Sequence, residues 1–342
     1  MPSLSYLDLH RDVSSDVDAE IEAALEHLGP PSSTLRKAVA ELVRNRKFKH
    51  PLSVLPLLVH AVETGTTAPA VPLSAVHVLW WTSACYLDDL ADGDGAAAVA
   101  GDLSEHEALL AAVVGGHALP LHVLRSPRIP TPVQDALAAE LATCWTGAAE
   151  GQLRDMRAHV DTASRESVVA TYRGKSGAPF GMITAMAAKL AGVERQQGEL
   201  WREFGHVFGV LWQIFNDQDD ILTGRHEDLR NGTVTYLLAC ALEELPRSRE
   251  RVLGLHAASR TSAWARKDLT KLLLAPVVLH RYHEDITAFR DEAYRILGAL
   301  GGDGASSMVL RQLVDLSAQM LLREDRAQEA GSARPPATTS PG

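Results

Sequence analysis

The chain has 342 residues, 46% of them hydrophobic, and a formal net charge of −10. That length suits one large domain or two ordinary ones and leaves ample apolar material for a core. The acidic balance, with no basic stripe, excludes a nucleic-acid footprint and argues against docking on anionic lipid.

The N-terminal stretch "MPSLSYLDLHRDVSSD" has no basic region leading into an apolar one and does not read as a signal peptide. Ala, Leu, Glu and Arg abound, and all favour helix. Apolar spacing predicts helices over Val17–Leu28, Leu35–Val43 and Val54–Val62. Breaks fall at "GPPSS" and "TGTTAPAVP".

The next predicted helix, Val71–Leu90, begins "VPLSAVHVLWWTSACYL". It is slightly short for a membrane span and contains His77, Thr82 and Ser83, so it reads as a buried helix. It runs into "DDLADGDG", where Asp88, Asp89, Asp92 and Asp94 crowd together. Like charges raise one another's pKa, and a helix C-terminus disfavours carboxylates. Asp88 and Asp92 stand one turn apart on one face, with Asp89 about 100° round. Such a pair at the end of a buried helix suits shared magnesium, which keeps water and substrate phosphates in its shell. The same residues also read as a solvated helix end entering an acidic loop.

Helical spacing resumes over His106–Val114, Val133–Met156 and Ser167–Leu190. Inside the last lies "YRGKSGAPF", where Arg173 and Lys175 offer cations and Ser176 a hydroxyl. The bland alternative is a helix interruption at Gly174 and Gly177. Glu199–Leu222 is another long apolar pattern, ending "GVLWQIFNDQDDIL". Asn216 and Asp220 are one turn apart and Asp217 adjoins Asn216, repeating the i, i+1, i+4 arrangement of oxygen ligands. Facing each other, the two segments would hold metals at the mouth of an apolar cavity, which implies a diphosphate with an apolar tail. In "TGRHEDLRNGTVTYLL", Arg225 and Arg230 are either closing cations or part of a polar loop.

Val234–Glu244 and Arg266–Leu300 complete the predicted helices. Strand-like alternation is scarce. The expectation is one all-α domain over residues 1–328, of roughly ten helices around an apolar centre, with a disordered tail, 329–342. Cys85, Cys144 and Cys240 lie far apart with no CxxC, which reads as reduced, buried thiols of a cytoplasmic protein.

The order DDLAD (Asp88–Asp92), GQLRDM (Gly151–Met156), GKSG (Gly174–Gly177), FGVLWQIFNDQDD (Phe208–Asp220) and DLRNGTVT (Asp228–Thr235) resembles the trans-isoprenyl diphosphate synthase (polyprenyl synthase) family over roughly residues 40 to 300. The resemblance implies an isoprenoid synthase helical bundle around a central apolar cavity, usually a homodimer without membrane insertion. It implies a first magnesium motif of Asp88, Asp89 and Asp92, and a second of Gln213, Asn216, Asp217 and Asp220. Lys175 and Ser176 match the family's Lys-Thr pair at the allylic diphosphate, and Arg225 falls near its diphosphate-binding lysine. Three magnesium ions with a bound diphosphate are implied, and Trp81, Tyr86, Phe180 and Phe215 are expected to line the cavity. Tyr86, just before the first motif, is expected to limit the donor to ten or fifteen carbons.

The chain departs from the family where isopentenyl diphosphate should bind. In "NRKFKHP", Lys47 matches the expected lysine but His50 replaces an arginine. Trp81 stands where His or Gln is usual, and no arginine pair follows the first motif. Thr233 replaces a lysine, and Asn216 heads the second motif. The expected activity is transfer from an allylic prenyl diphosphate to a second small-molecule acceptor other than isopentenyl diphosphate, in specialised metabolism. The alternatives are terpene cyclisation, to which Asn216 and the Arg281-Tyr282 pair bear a partial likeness, ordinary chain elongation, and an inactive regulatory subunit.

Overall fold

The computed structural model describes residues 5–44, 51–91 and 103–323, and every regular element among them is helical. Lys47, His50, Asp92 and the expected tail lie outside the described residues. Helix α1 (Tyr6–Glu26) is capped by Ser5, whose hydroxyl accepts from Leu7 N, and α2 (Thr34–Arg44) follows. Helix α3 (Leu55–Thr64) starts with Pro56 in its first turn, where the missing N–H is not needed, and stops at Gly65 in the left-handed region.

Helix α4 (Val71–Ala91) carries the first acidic pair at its end. The segment Ala68–Ala91 has the length and apolarity to cross a membrane, yet 78% of its most apolar window is buried inside the protein, which makes it a core helix. Next come α5 (Glu105–Val113), started by a Ser104–Glu107 capping box, a π-helical turn at Val114–Ala118, and α6 (Leu119–Val123).

Helix α7 (Thr131–Met156) follows. Helix α8 (Arg165–Tyr172) passes through a second π turn, Arg173–Gly177, into α9 (Ala178–Leu190), and α10 (Arg195–Leu222) brings the second motif. The remainder is α11 (Glu227–Asn231), α12 (Tyr236–Glu244), α13 (Arg249–Ser259), α14 (Ala263–Leu273), α15 (Pro276–Leu300) and α16 (Ala305–Ser317).

Helix α9 is buried from Ala178 to Ala188 and packs against α10, α7 and α3, while α10 also packs on α15. Phe180, Phe204, Phe208 and Trp201 are fully buried and meet edge-on or stacked, with centroids 5.1 to 6.1 Å apart. Each such ring contributes roughly 1.5–3 kcal/mol of burial, so the centre of the bundle is a stable platform beneath the polar helix ends. The three cysteines stay apart as thiols.

Three sequence expectations change. Ser167–Leu190 is not one α-helix, because the π turn interrupts it. Arg266–Leu300 divides at Ala275, which is extended (φ −62°, ψ 142°) because Pro276 disfavours the helical region for the residue before it. Helices α13 and α16 were not predicted. In α13 the apolar pattern is weak, and in α16 the glycines of "GGDG" masked a clear repeat of Val309, Leu310, Leu313 and Val314.

Candidate active site

The ends of α4 and α7 meet around one cation. Lys175 Nζ lies 2.8 Å from Asp88 Oδ1 at the end of α4 and 2.8 Å from Asp155 Oδ2 near the end of α7. Gln152, one turn before Asp155, donates to Asp88 Oδ1 at 2.8 Å. Burial pushes the Lys175 ammonium towards neutrality, but Asp88 and Asp155 outweigh it and hold the group above its usual range.

The π turn delivers this cation, widening the helix by one residue so that Lys175 and Ser176 project between α7 and α10; such turns recur at functional sites. It is pinched between two glycines. A Cβ on Gly151 of α7 would meet the Lys175 backbone nitrogen, and one on Gly209 of α10 would lie 2.5 Å from Ser176 O and 2.6 Å from Gly177 Cα. Only glycine permits that approach from both sides.

The second motif joins through Ser176, which donates to Gln213 Oε1 at 2.6 Å, while Gln213 Nε2 donates to Asp217 Oδ1 at 3.0 Å. The Tyr172 hydroxyl donates to Asp217 Oδ2 and accepts from Tyr236 N at 3.0 Å. Burial lifts the Asp217 carboxyl to about 7, even though the Tyr172 and Gln213 hydrogen bonds act to lower it. Burial also raises half-buried Asp228, with the charges of Asp217 and Asp220 adding to the effect. Asp220 accepts from Glu227 N at 3.0 Å and Asp228 N at 3.4 Å. Asn216 is half-buried, one turn before Asp220.

Arg225 faces three carboxylates, Asp219 at 3.2 Å, Glu227 at 3.6 Å and Asp220 at 3.9 Å. Arg230 donates to the Arg225 carbonyl, so the two arginines brace one loop beside the second motif.

The expected apolar residues divide. Trp81, half-buried, packs 5.2 Å from Phe180, which is fully buried, and His77 abuts both rings. Tyr86 is turned towards α5, where its hydroxyl donates to Glu105 O at 2.9 Å. Burial first, then the charges of Glu105 and Asp89, raise its phenol. Phe215 stacks on Trp212 at 5.6 Å. Arg281 pairs with Glu244 and Glu284, and Tyr282 donates to Ile214 O, so this pair ties α15 to its neighbours.

Sequence reasoning missed Gln152, Asp155, Tyr172 and Asp228. Gln152 and Asp155, three apart in "GQLRDM" and so on one helix face, were the available signal. Nothing local marked Tyr172.

The donor set fits a hard divalent cation. Asp88, Asn216, Asp217 and Asp220 offer only oxygen. Asp88, Asp155, Asp217, Asp220 and Asp228 together outnumber Lys175 and Arg225, and burial already opposes ionisation of Asp217 and Asp228. Among the described residues, no three acidic, imidazole or thiol groups form a ready-made cage. Protein donors hold Asp88, Asp217 and Asp220 meanwhile.

Comparison with known proteins places these features in context. The sequence model of the polyprenyl synthetase family matches residues 86–272. No curated protein sequence matches the chain. A polyprenyl synthetase from Streptomyces coelicolor A3(2) superposes with a TM-score of 0.74 at 18% identity, covering 91% of this chain and 98% of that one. A polyprenyl synthase from Caulobacter crescentus CB15, solved with calcium and isoprenyl diphosphate, gives 0.74 at 17% identity, covering 94% and 99%. A geranylgeranyl pyrophosphate synthetase from Pyrococcus horikoshii Ot3 gives 0.73 at 18% identity, covering 92% and 99%.

Proposed function

The chain belongs to the polyprenyl synthetase family, and from that premise we propose that it is a magnesium-dependent prenyltransferase. It ionises an allylic prenyl diphosphate and passes the prenyl group to an acceptor other than isopentenyl diphosphate. The observation that carries this is Lys175, which ion-pairs Asp88 of the first motif and adjoins Ser176, itself linked through Gln213 to Asp217 of the second.

Lys175, released from Asp88 and Asp155, is placed to bind the diphosphate, with Ser176 and Gln213 as hydrogen-bonding groups and Arg225 as a second cation. Asp88, Asp92, Asn216, Asp217 and Asp220 would hold magnesium, with Asp89 beside them. Bound magnesium would neutralise charge developing on the leaving diphosphate. Lys175 adds fixed positive charge at the same place, where it is worth more than in water. The apolar interior around Trp81 and Phe180 would shelter an allylic cation from water, and aromatic faces favour a cation nearby.

The acceptor assignment rests on Trp81. An indole packed on Phe180 and His77 supplies no cationic anchor for a second diphosphate. An open pocket of about 310 Å³ beside Asp155, lined by Arg154, Arg157 and His159 as well as Val168 and Val234, would offer room for a small polar acceptor. Cyclisation within the donor's own chain is the second reading, favoured by Asn216 and weakened by the outward placement of Arg281.

The test incubates the protein with geranyl, farnesyl and geranylgeranyl diphosphate in turn, with and without magnesium and isopentenyl diphosphate. Diphosphate release and extracted products are followed. Magnesium-dependent release that isopentenyl diphosphate does not redirect supports the proposal. An elongated product formed only with isopentenyl diphosphate refutes the acceptor assignment, and a cyclic hydrocarbon selects the second reading.

A further inference from the structure

Gln218 stands on α10 between Asp217 and Asp220 and is 0% exposed. Its amide reaches neither acidic residue. Nε2 donates to Gln319 O at 3.0 Å, and Oε1 accepts from Leu321 N at 2.8 Å and Leu322 N at 3.4 Å. Residues 319–323 follow α16 without regular structure, and Leu322 is itself buried. One side chain therefore binds this segment as a strand edge would, using both ends of its amide.

The end of α10 needs such an anchor. Asp217, Asp219 and Asp220 fall in its last six residues, where the macrodipole opposes negative charge and helix ends open most readily. Arg225 offsets part of that charge from the exposed side. Gln218, about 100° round the helix from Asp217, grips from the interior and is neutral, so it competes with no cation for the carboxylates.

We propose that Gln218 is a positioning residue. It pins residues 319–322 against the end of α10 and so holds Asp217 and Asp220 in register for a cation and a diphosphate. The functional half of this inference rests on the reading of Asp217 and Asp220 as the second motif. The structural half does not.

The test uses Q218M, which keeps the volume and removes the hydrogen bonds, and Q218E, which keeps the oxygen that accepts from Leu321 and Leu322. Amide hydrogen exchange without substrate is read first. Q218M is expected to speed exchange at residues 319–322 and at 219–222 together, with its thermal midpoint showing that the remainder stays folded. The magnesium concentration giving half-maximal diphosphate release from farnesyl diphosphate is then expected to rise about tenfold. KM for the donor at saturating magnesium should stay nearly unchanged, and Q218E, whose buried carboxylate would face Gln319 O and add charge beside Asp217, should not recover the loss. Unchanged exchange at 319–322 overturns the inference. So does faster exchange there with residues 219–222 and the magnesium requirement unaltered. If the wild-type chain releases no diphosphate, the proposed function fails, and the exchange at 219–222 still decides the positioning role.

Discussion

The Lys175 ammonium stands 2.8 Å from the Asp88 carboxylate, although one lies on a π turn and the other at the end of a core helix. In this arrangement the two charges neutralise each other. A bound diphosphate and cation would exchange those partners, so loss of Lys175 should lower activity substantially. K175M is expected to lower diphosphate release from farnesyl diphosphate by at least about 100-fold, the usual effect of losing one fixed donor to a developing anion. D155N removes only one of the partners of Lys175 and should cost less. Equal, near-wild-type rates for both would refute this role for Lys175.

The acidic residues should behave differently from one another. D88A, D92A and D220A are each expected to abolish magnesium-dependent release, because each removes an oxygen that a hard cation needs. D219A removes a carboxylate paired on the exposed side with Arg225 and should retain most activity. Full activity in D88A would remove the metal reading of the first motif.

Two glycine substitutions should change stability in opposite directions. G209A places a methyl group 2.5 Å from Ser176 O, an overpacking expected to cost about 1–3 kcal/mol and to displace Lys175. Gly254 has open space around its Cβ position within α13, so G254A should stabilise by about 0.5–1 kcal/mol. Urea unfolding of both variants checks the sign.

Protonation of two histidines, half-buried His206 and buried His256, should destabilise the fold in mild acid. Burial lowers the pKa of His206, with the Arg173 charge adding to it, and burial likewise lowers His256. The unfolded chain then takes up these protons near the usual value of about 6.5, before the native state does. Stability is therefore fully present above that pH and is lost as pH falls towards the depressed native values. Protonation of Asp217 near 7 acts in the opposite sense, so the histidine contribution is read as a difference: the thermal midpoint of a double variant H206Q/H256Q should rise relative to that of the wild type as pH falls from 7 to 5.5. An equal slope in the variant would assign the effect elsewhere.

Donor length should depend on Trp81 more than on Tyr86. Trp81 packs on Phe180 in the apolar interior, whereas the Tyr86 hydroxyl is tied to Glu105 O. W81A is expected to admit a longer prenyl diphosphate, read as a shift in relative kcat/KM from farnesyl to geranylgeranyl diphosphate. Y86A should shift it less. The reverse order would return the length limit to Tyr86.

The sequence alone determined the helical class, both acidic helix ends and the Lys175–Ser176 segment, because each is written in residues a few positions apart. Spacing of apolar residues predicts a helix wherever one face is buried, and oxygen ligands at i, i+1 and i+4 share a helix end without reference to the rest of the chain. Only the tertiary structure decided which groups meet. Asp155 and Gln152 reach Asp88 and Lys175 from another helix, Tyr172 reaches Asp217, and Gln218 reaches residues 319–322. Those pairings depend on how closely helices approach, and Gly151 and Gly209 set that closeness by what they lack. The π turn and the break before Pro276 escaped the periodic reading for a related reason. One extra or missing hydrogen bond in a helix leaves the apolar pattern nearly unchanged, while it moves every side chain beyond it.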